Sequence, residues 1–147
     1  MKKVILCSLL LFLSGCGLFK SNEPTKIEVA QIDANNVVDS FFKEYKPIKE
    51  SEIITTKYVI YVFSISDNSY NQNIDNMLLE KISKNGWRLV VDDNGKKIYC
   101  DLNNNILETV APYLVTKQRL NGIVASQSEN LWRVGYSYRD GGNIACK

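Results

Sequence analysis

The chain carries no histidine among its 147 residues, and that absence removes whole classes of chemistry. Ser-His-Asp and Cys-His nucleophilic machinery, histidine general bases and most zinc sites all require an imidazole. Serines, carboxylates and cysteines remain as candidates. Gly135-Tyr136-Ser137-Tyr138-Arg139 begins like a nucleophile elbow but lacks the second glycine and has no base to activate Ser137. The neighbours Asp92-Asp93 stand beside an Asn-Gly turn, where paired carboxylates are solvated more often than catalytic.

Ser40-Phe41-Phe42-Lys43 fits S-x-x-K and Ser66-Asp67-Asn68 fits S-D-N, two of the three marks of penicillin-binding enzymes. The third, Lys-Thr-Gly, is missing, and one domain of this length is too short for that site. Asp101-Leu102-Asn103-Asn104-Asn105 alternates oxygen ligands as an EF-hand loop does. That loop needs Gly at position six and Glu at twelve, where this chain has Ile106 and Pro112. Turn chemistry accounts for these asparagines better than calcium does. No cofactor and no metal site is expected, and the chain does not read as an enzyme.

The aromatic residues near the carboxyl end are the best candidates for contact with another molecule. On a strand, Trp132, Val134, Tyr136 and Tyr138 share one face, and Arg133 belongs to the other with Leu131, Gly135, Ser137 and Arg139. Trp132, Tyr136 and Tyr138 with Arg133 nearby suit a partner protein or a glycan. The competing expectation is that this face packs beneath a helix.

The elements that would position them follow from periodicity. Val37, Val38, Phe41, Phe42 and Tyr45 make one face of a helix over 35–46, capped by Asn35 or Asn36 and stopped by Pro47. Residues 52–65 read as one long strand, aromatic and β-branched on both faces, hence central and covered on both sides. Ile74, Met77, Leu78 and Ile82 give a second helix over 70–84, ended by Asn85-Gly86, and 87–91 is a strand. Asn94-Gly95 turns a hairpin into 97–102; short strands are expected at 106–110, 113–118 and 123–126, and a clear last one at 131–139. The expected fold is α+β: two helices packed on a mainly antiparallel sheet of five or six strands containing a strand-helix-strand unit.

The amino terminus supplies an address. Lys2 and Lys3 precede ten apolar residues, Val4 to Leu13, too few to span a bilayer. Leu13-Ser14-Gly15-Cys16 resembles the lipobox of bacterial lipoprotein precursors: an aliphatic residue, two small ones, then cysteine. The resemblance implies a diacylglyceryl group on the Cys16 sulfur, cleavage before it, and acylation of the new amino terminus. It implies a lipid-anchored protein of the bacterial cell envelope, at the outer membrane because Gly17, not Asp, follows the cysteine. Residues 1–15 would be the signal peptide, 16–34 the lipidated cysteine and a flexible tether, and 35–147 a single α+β domain. Losing Lys2 and Lys3 takes the charges from 18 against 16 to 16 against 16, which offers nothing to attract nucleic acid. With Cys7 removed and Cys16 lipidated, Cys100 and Cys146 are left as an even pair in an oxidising compartment, where a disulfide is expected; two free buried thiols are the alternative. The expected function is protein–protein contact in the envelope (assembly, inhibition or exclusion). The alternative is binding a glycan or small apolar ligand on the aromatic strand face.

Overall fold

A computed structural model describes residues 23–66, 71–93, 95–112, 119–120, 123–124 and 131–147. Cys16 with its flanking motif, Asp67-Asn68, Asn94, the expected strand at 113–118 and the second half of that expected at 123–126 lie outside the described residues.

Helix α1 (Lys26–Phe42) starts at Lys26 rather than 35, so part of the expected tether is helix. Thr25, not Asn35 or Asn36, is its cap. The Thr25 hydroxyl accepts from the Glu28 amide at 3.2 Å, and the Thr25 amide donates to the Glu28 carboxylate at 2.7 Å. That reciprocal pair satisfies two otherwise orphaned N–H groups. Ala30, Ala34, Val38, Phe41 and Phe42 form the buried stripe. The residue before Pro47, Lys46, takes a left-handed conformation that turns the chain into the sheet.

The stretch expected as one strand is two, correcting that reading: β1 (Ile48–Ile54) and β2 (Tyr58–Ser66) pair as an antiparallel hairpin. The Thr55 hydroxyl accepts from the amides of Lys57 and Tyr58, so Thr55-Thr56-Lys57 is the turn. Helix α2 (Gln72–Lys84) is capped by Asn71, whose side chain accepts from the Ile74 amide at 3.0 Å. It ends at Gly86, whose φ of +86° favours glycine. Strands β3 (Arg88–Asp93), β4 (Lys96–Cys100) and β5 (Ile106–Val110) form a meander. Two short strands, β6 (Arg119–Leu120) and β7 (Ile123–Val124), pair apart from the main sheet, and β8 (Leu131–Arg139) follows.

The main sheet runs β1-β2-β8-β5-β4-β3, with every neighbouring pair antiparallel. β2 and β3, the strands flanking α2, therefore point the same way with three strands between them. The chain is α+β, with two helices packed on a six-stranded antiparallel sheet. Among the described residues no helix is long and apolar enough to cross a membrane.

Both helices cover one face of the sheet. Val59, Tyr61, Phe63 and Ile65 of β2 and Trp132, Val134 and Tyr136 of β8 enter one core with Ala34, Phe42 and Leu78. β2 is covered on its other face as well: Val62 and Ser64 are buried, as expected of its centre. Alanine at 30 and 34 lets α1 approach the sheet closely. At the far edge a polar contact ties α2 to the sheet. Buried Lys97 pairs with buried Asp75 and lies 3.6 Å from Asp92. Breaking such a pair from one side leaves an uncompensated charge, which costs about 3–5 kcal/mol.

Candidate functional site

The four residues expected to form a contact surface are dispersed by the fold. Trp132 is 1 % exposed and packs edge-to-face against Phe42 and Tyr45, with ring centroids 5.5 and 5.6 Å apart. Such pairs contribute roughly 0.5–1.5 kcal/mol beyond their buried area, which marks Trp132 as a core residue. The expectation that it meets a ligand is corrected. Arg133 points to the opposite face and is buried too, with Nε donating to Glu50 at 2.9 Å and Nη2 at 3.4 Å. The strand register shifts between Lys49 and Ser51, and this bulge places Glu50 where its carboxylate can reach that guanidinium. Arg133 is a structural ion-pair partner.

Tyr136 and Tyr138 do reach a concave surface. A cavity of about 390 Å³ opens between α1, the turn after α2 and the loop 101–105. Asp33, Asn36, Val37, Ser40 and Phe41 of α1 form one wall. Trp87, Asp101, Asn103 and Asn105 form the other, and Tyr136 lies at the base. A second cavity of about 440 Å³ shares Asp33, Asn103 and Asn105 with it and extends past Tyr138 to Gly142. Together they make one groove along the flank of α1.

Each wall is fixed by local chemistry. The Asp101 carboxylate accepts from the amides of Asn103 and Asn105 at 2.9 and 2.8 Å, and from the Asn105 side chain at 2.7 Å. This is a turn closed by its own aspartate. Asn143 donates to the Asn104 carbonyl at 3.0 Å and clips the carboxyl-terminal segment onto the loop. Gly142 sits so close that an added Cβ would lie 3.1 Å from the Asn104 Cβ. Ser40 donates to the Asn36 carbonyl at 2.7 Å, a helical back-bond that leaves it no activating base. Ser137 is buried and donates to Asn143, so neither serine is poised as a nucleophile.

The Tyr136 hydroxyl is buried and has no hydrogen-bond partner among the described residues. Burial, followed by the charges of Asp33 and Asp101, pushes its pKa well above the ordinary 10.0. It stays a neutral phenol with a proton to donate. Tyr99 is raised in the same way by burial and by Asp75 and Asp92. For Lys97, burial pulls downward, but the carboxylates of Asp75 and Asp92 outweigh it and raise the pKa from 10.5. All three shifts act in one direction. Below the unfolded values the contribution is complete; above about pH 10 the unfolded chain releases these protons first, so stability falls. In an alkaline titration followed by phenolate absorbance, two tyrosines are expected to ionise only as the fold is lost. A single class of tyrosines titrating reversibly in the folded protein would contradict this.

A third feature escaped the sequence reading because the hairpin did. Among the described residues β1 has β2 as its one neighbour, so its outer edge offers unpaired backbone groups. Ile48 is 69 % exposed on that strand, and Ile53 and Ile54 are exposed as well. Splitting 52–65 at Thr55 was the signal available, since Thr55-Thr56-Lys57 interrupts the apolar run.

No family model matches the chain, and no curated protein or solved structure matches it either.

Proposed function

We propose that the chain is a lipid-anchored protein of the bacterial envelope, held through Cys16 at the outer membrane, whose folded part works by docking another envelope protein. The observation that carries the docking is the open edge of β1. An exposed strand with free N–H and C=O groups is a template for pairing with another chain, and the side chains along it give selectivity. Natural edges are blunted by bulges and charges, and β1 has both at Lys49, Glu50 and Glu52. The bulge lies at its first half. Ile53 and Ile54 stay in regular register with Ile60 and Val59 and leave a short apolar edge for a partner.

The anchor reading is supported by the Leu13-Ser14-Gly15-Cys16 motif. The bond between Cys100 and Cys146 agrees with an oxidising compartment such as the periplasm. The alternative of a ligand on the aromatic strand face loses Trp132 as a contact, because that residue is core, and narrows to the surface that Tyr136 and Tyr138 line.

The test is site-specific photo-cross-linking in intact cells with the reactive group at Ile48. The expected result is one discrete adduct with another envelope protein, lost in Ile53→Lys while the disulfide still forms. An adduct with the protein itself alone, or one indifferent to Ile53→Lys, overturns the docking.

A further inference from the structure

The inner cavity beside α1 has the chemistry of a small-ligand site. Its volume of about 390 Å³ lies within the roughly 300–1,000 Å³ that such sites occupy. Among the described residues its lining contains no lysine and no arginine, which disfavours phosphate and carboxylate ligands there; Lys26 and Arg139 line only the adjoining cavity. The inner cavity holds two carboxylates, and the Asp101 group is already engaged by three N–H donors of its own loop. The remaining polar groups are amides and hydroxyls, which both donate and accept. Val37, Phe41 and Trp87 add an apolar patch.

Tyr136, a lining residue 1 % exposed, has a buried hydroxyl with no hydrogen-bond partner among the described residues. A buried hydroxyl without a partner is destabilising, so a ligand able to bond it gains that interaction. Tyr136 lines this cavity together with Asp33 and Asp101.

We infer that this cavity binds a neutral N-acetylated amino sugar, with the Tyr136 hydroxyl as the buried anchor. An acetamido group offers a carbonyl for a buried phenol donor and an N–H for a carboxylate or amide acceptor. Its methyl group suits the apolar patch, and ring hydroxyls match Asp33 and the asparagine amides. The adjoining cavity past Tyr138 continues the groove, giving room for a second sugar unit. The site shares no lining residue with β1, so it adds to the docking edge and does not depend on it.

The experiment titrates the full chain, in a sugar-free detergent, with N,N′-diacetylchitobiose and with cellobiose, which lacks the acetamido groups. Binding is read by Trp fluorescence and calorimetry. Saturable binding of the acetylated disaccharide is expected, at least about tenfold tighter than cellobiose. Tyr136→Phe keeps the ring and is expected to weaken binding about tenfold while the protein remains folded. If that variant unfolds, Asp33→Asn at the exposed rim serves instead, with a smaller loss expected. No saturable binding, equal affinity for cellobiose, or binding indifferent to both substitutions overturns the assignment. Displacement of the sugar by a simple ammonium ion would overturn it in favour of a cation site.

Discussion

Cys16→Ser is expected to abolish incorporation of labelled fatty acid and to leave residues 1–15 on the chain. A thiolate is the competent nucleophile for thioether formation, and a serine hydroxyl at neutral pH is not. The change in membrane attachment should be large. One myristoyl chain gives an affinity of only about 10⁴ M⁻¹, while each buried CH₂ contributes about 0.8 kcal/mol, so two or three chains make release negligible. The serine variant keeps only the ten-residue apolar run, too short to span, and should become extractable by alkali without detergent. Mass spectrometry reads the retained residues and fractionation reads the partitioning. Unchanged mass together with detergent-only extraction would sink the anchor and the envelope address with it.

Much of the fold was legible because its strongest elements carry redundant signals. Helix α2 has a period and an Asn-Gly stop, and both agree with its observed end at Lys84, while its start lies at Gln72 rather than 70. The last strand alternates over nine residues and is found as read. The start of α1 was missed because its inner face at 30 and 34 is alanine. Alanine contributes little to an apolar count, yet it buries completely when a helix lies close on a sheet. The Thr25-x-x-Glu28 capping box was the readable sign. The β1–β2 turn was hidden by threonines, which favour strands as readily as they close turns.

The site was less legible for a different reason. Alternation assigns Trp132, Tyr136 and Tyr138 to one face but says nothing of how far each lies from the helix above. Trp132 falls under Phe42 and Tyr45, whereas Tyr136 falls where α1 diverges from the loop 101–105. Only the tertiary path of Asp101-Leu102-Asn103 decides that difference. Those asparagines read locally as a turn, which they are, and the turn is also a cavity wall.

Opening the Cys100–Cys146 bond is expected to lower stability by about 4 kcal/mol, from the loop-closure entropy of a 46-residue separation. The cysteines lie at the end of β4 and in a 3₁₀ turn, Ile144–Cys146, and pack with Ile106 in a small cluster apart from the main core. In the folded state the carboxyl-terminal segment has other ties. Arg88 donates to the Cys146 carbonyl at 3.2 Å, and Asn143 donates to the carbonyls of Asn104 and Ser137. Removal of the bond should therefore act mainly on the unfolded chain, and the native contacts should persist. A domain of this size has a total stability of roughly 5–15 kcal/mol, so the loss is a large share of it and lowers Tm by about 15 °C. Denaturant melts of the oxidised chain, the reduced chain and the Cys100→Ala/Cys146→Ala variant check the magnitude. The two thiol-free or reduced forms should agree within about 1 kcal/mol, because both lack the same constraint. A shift in Tm below about 3 °C would mean that the polar clip at Asn143 and the core beneath α1 hold the fold without the bond. A fall as large as expected would make the chain much less stable in a reducing compartment than in an oxidising one. That difference can be measured without knowing the partner, and it bears directly on where the protein can work.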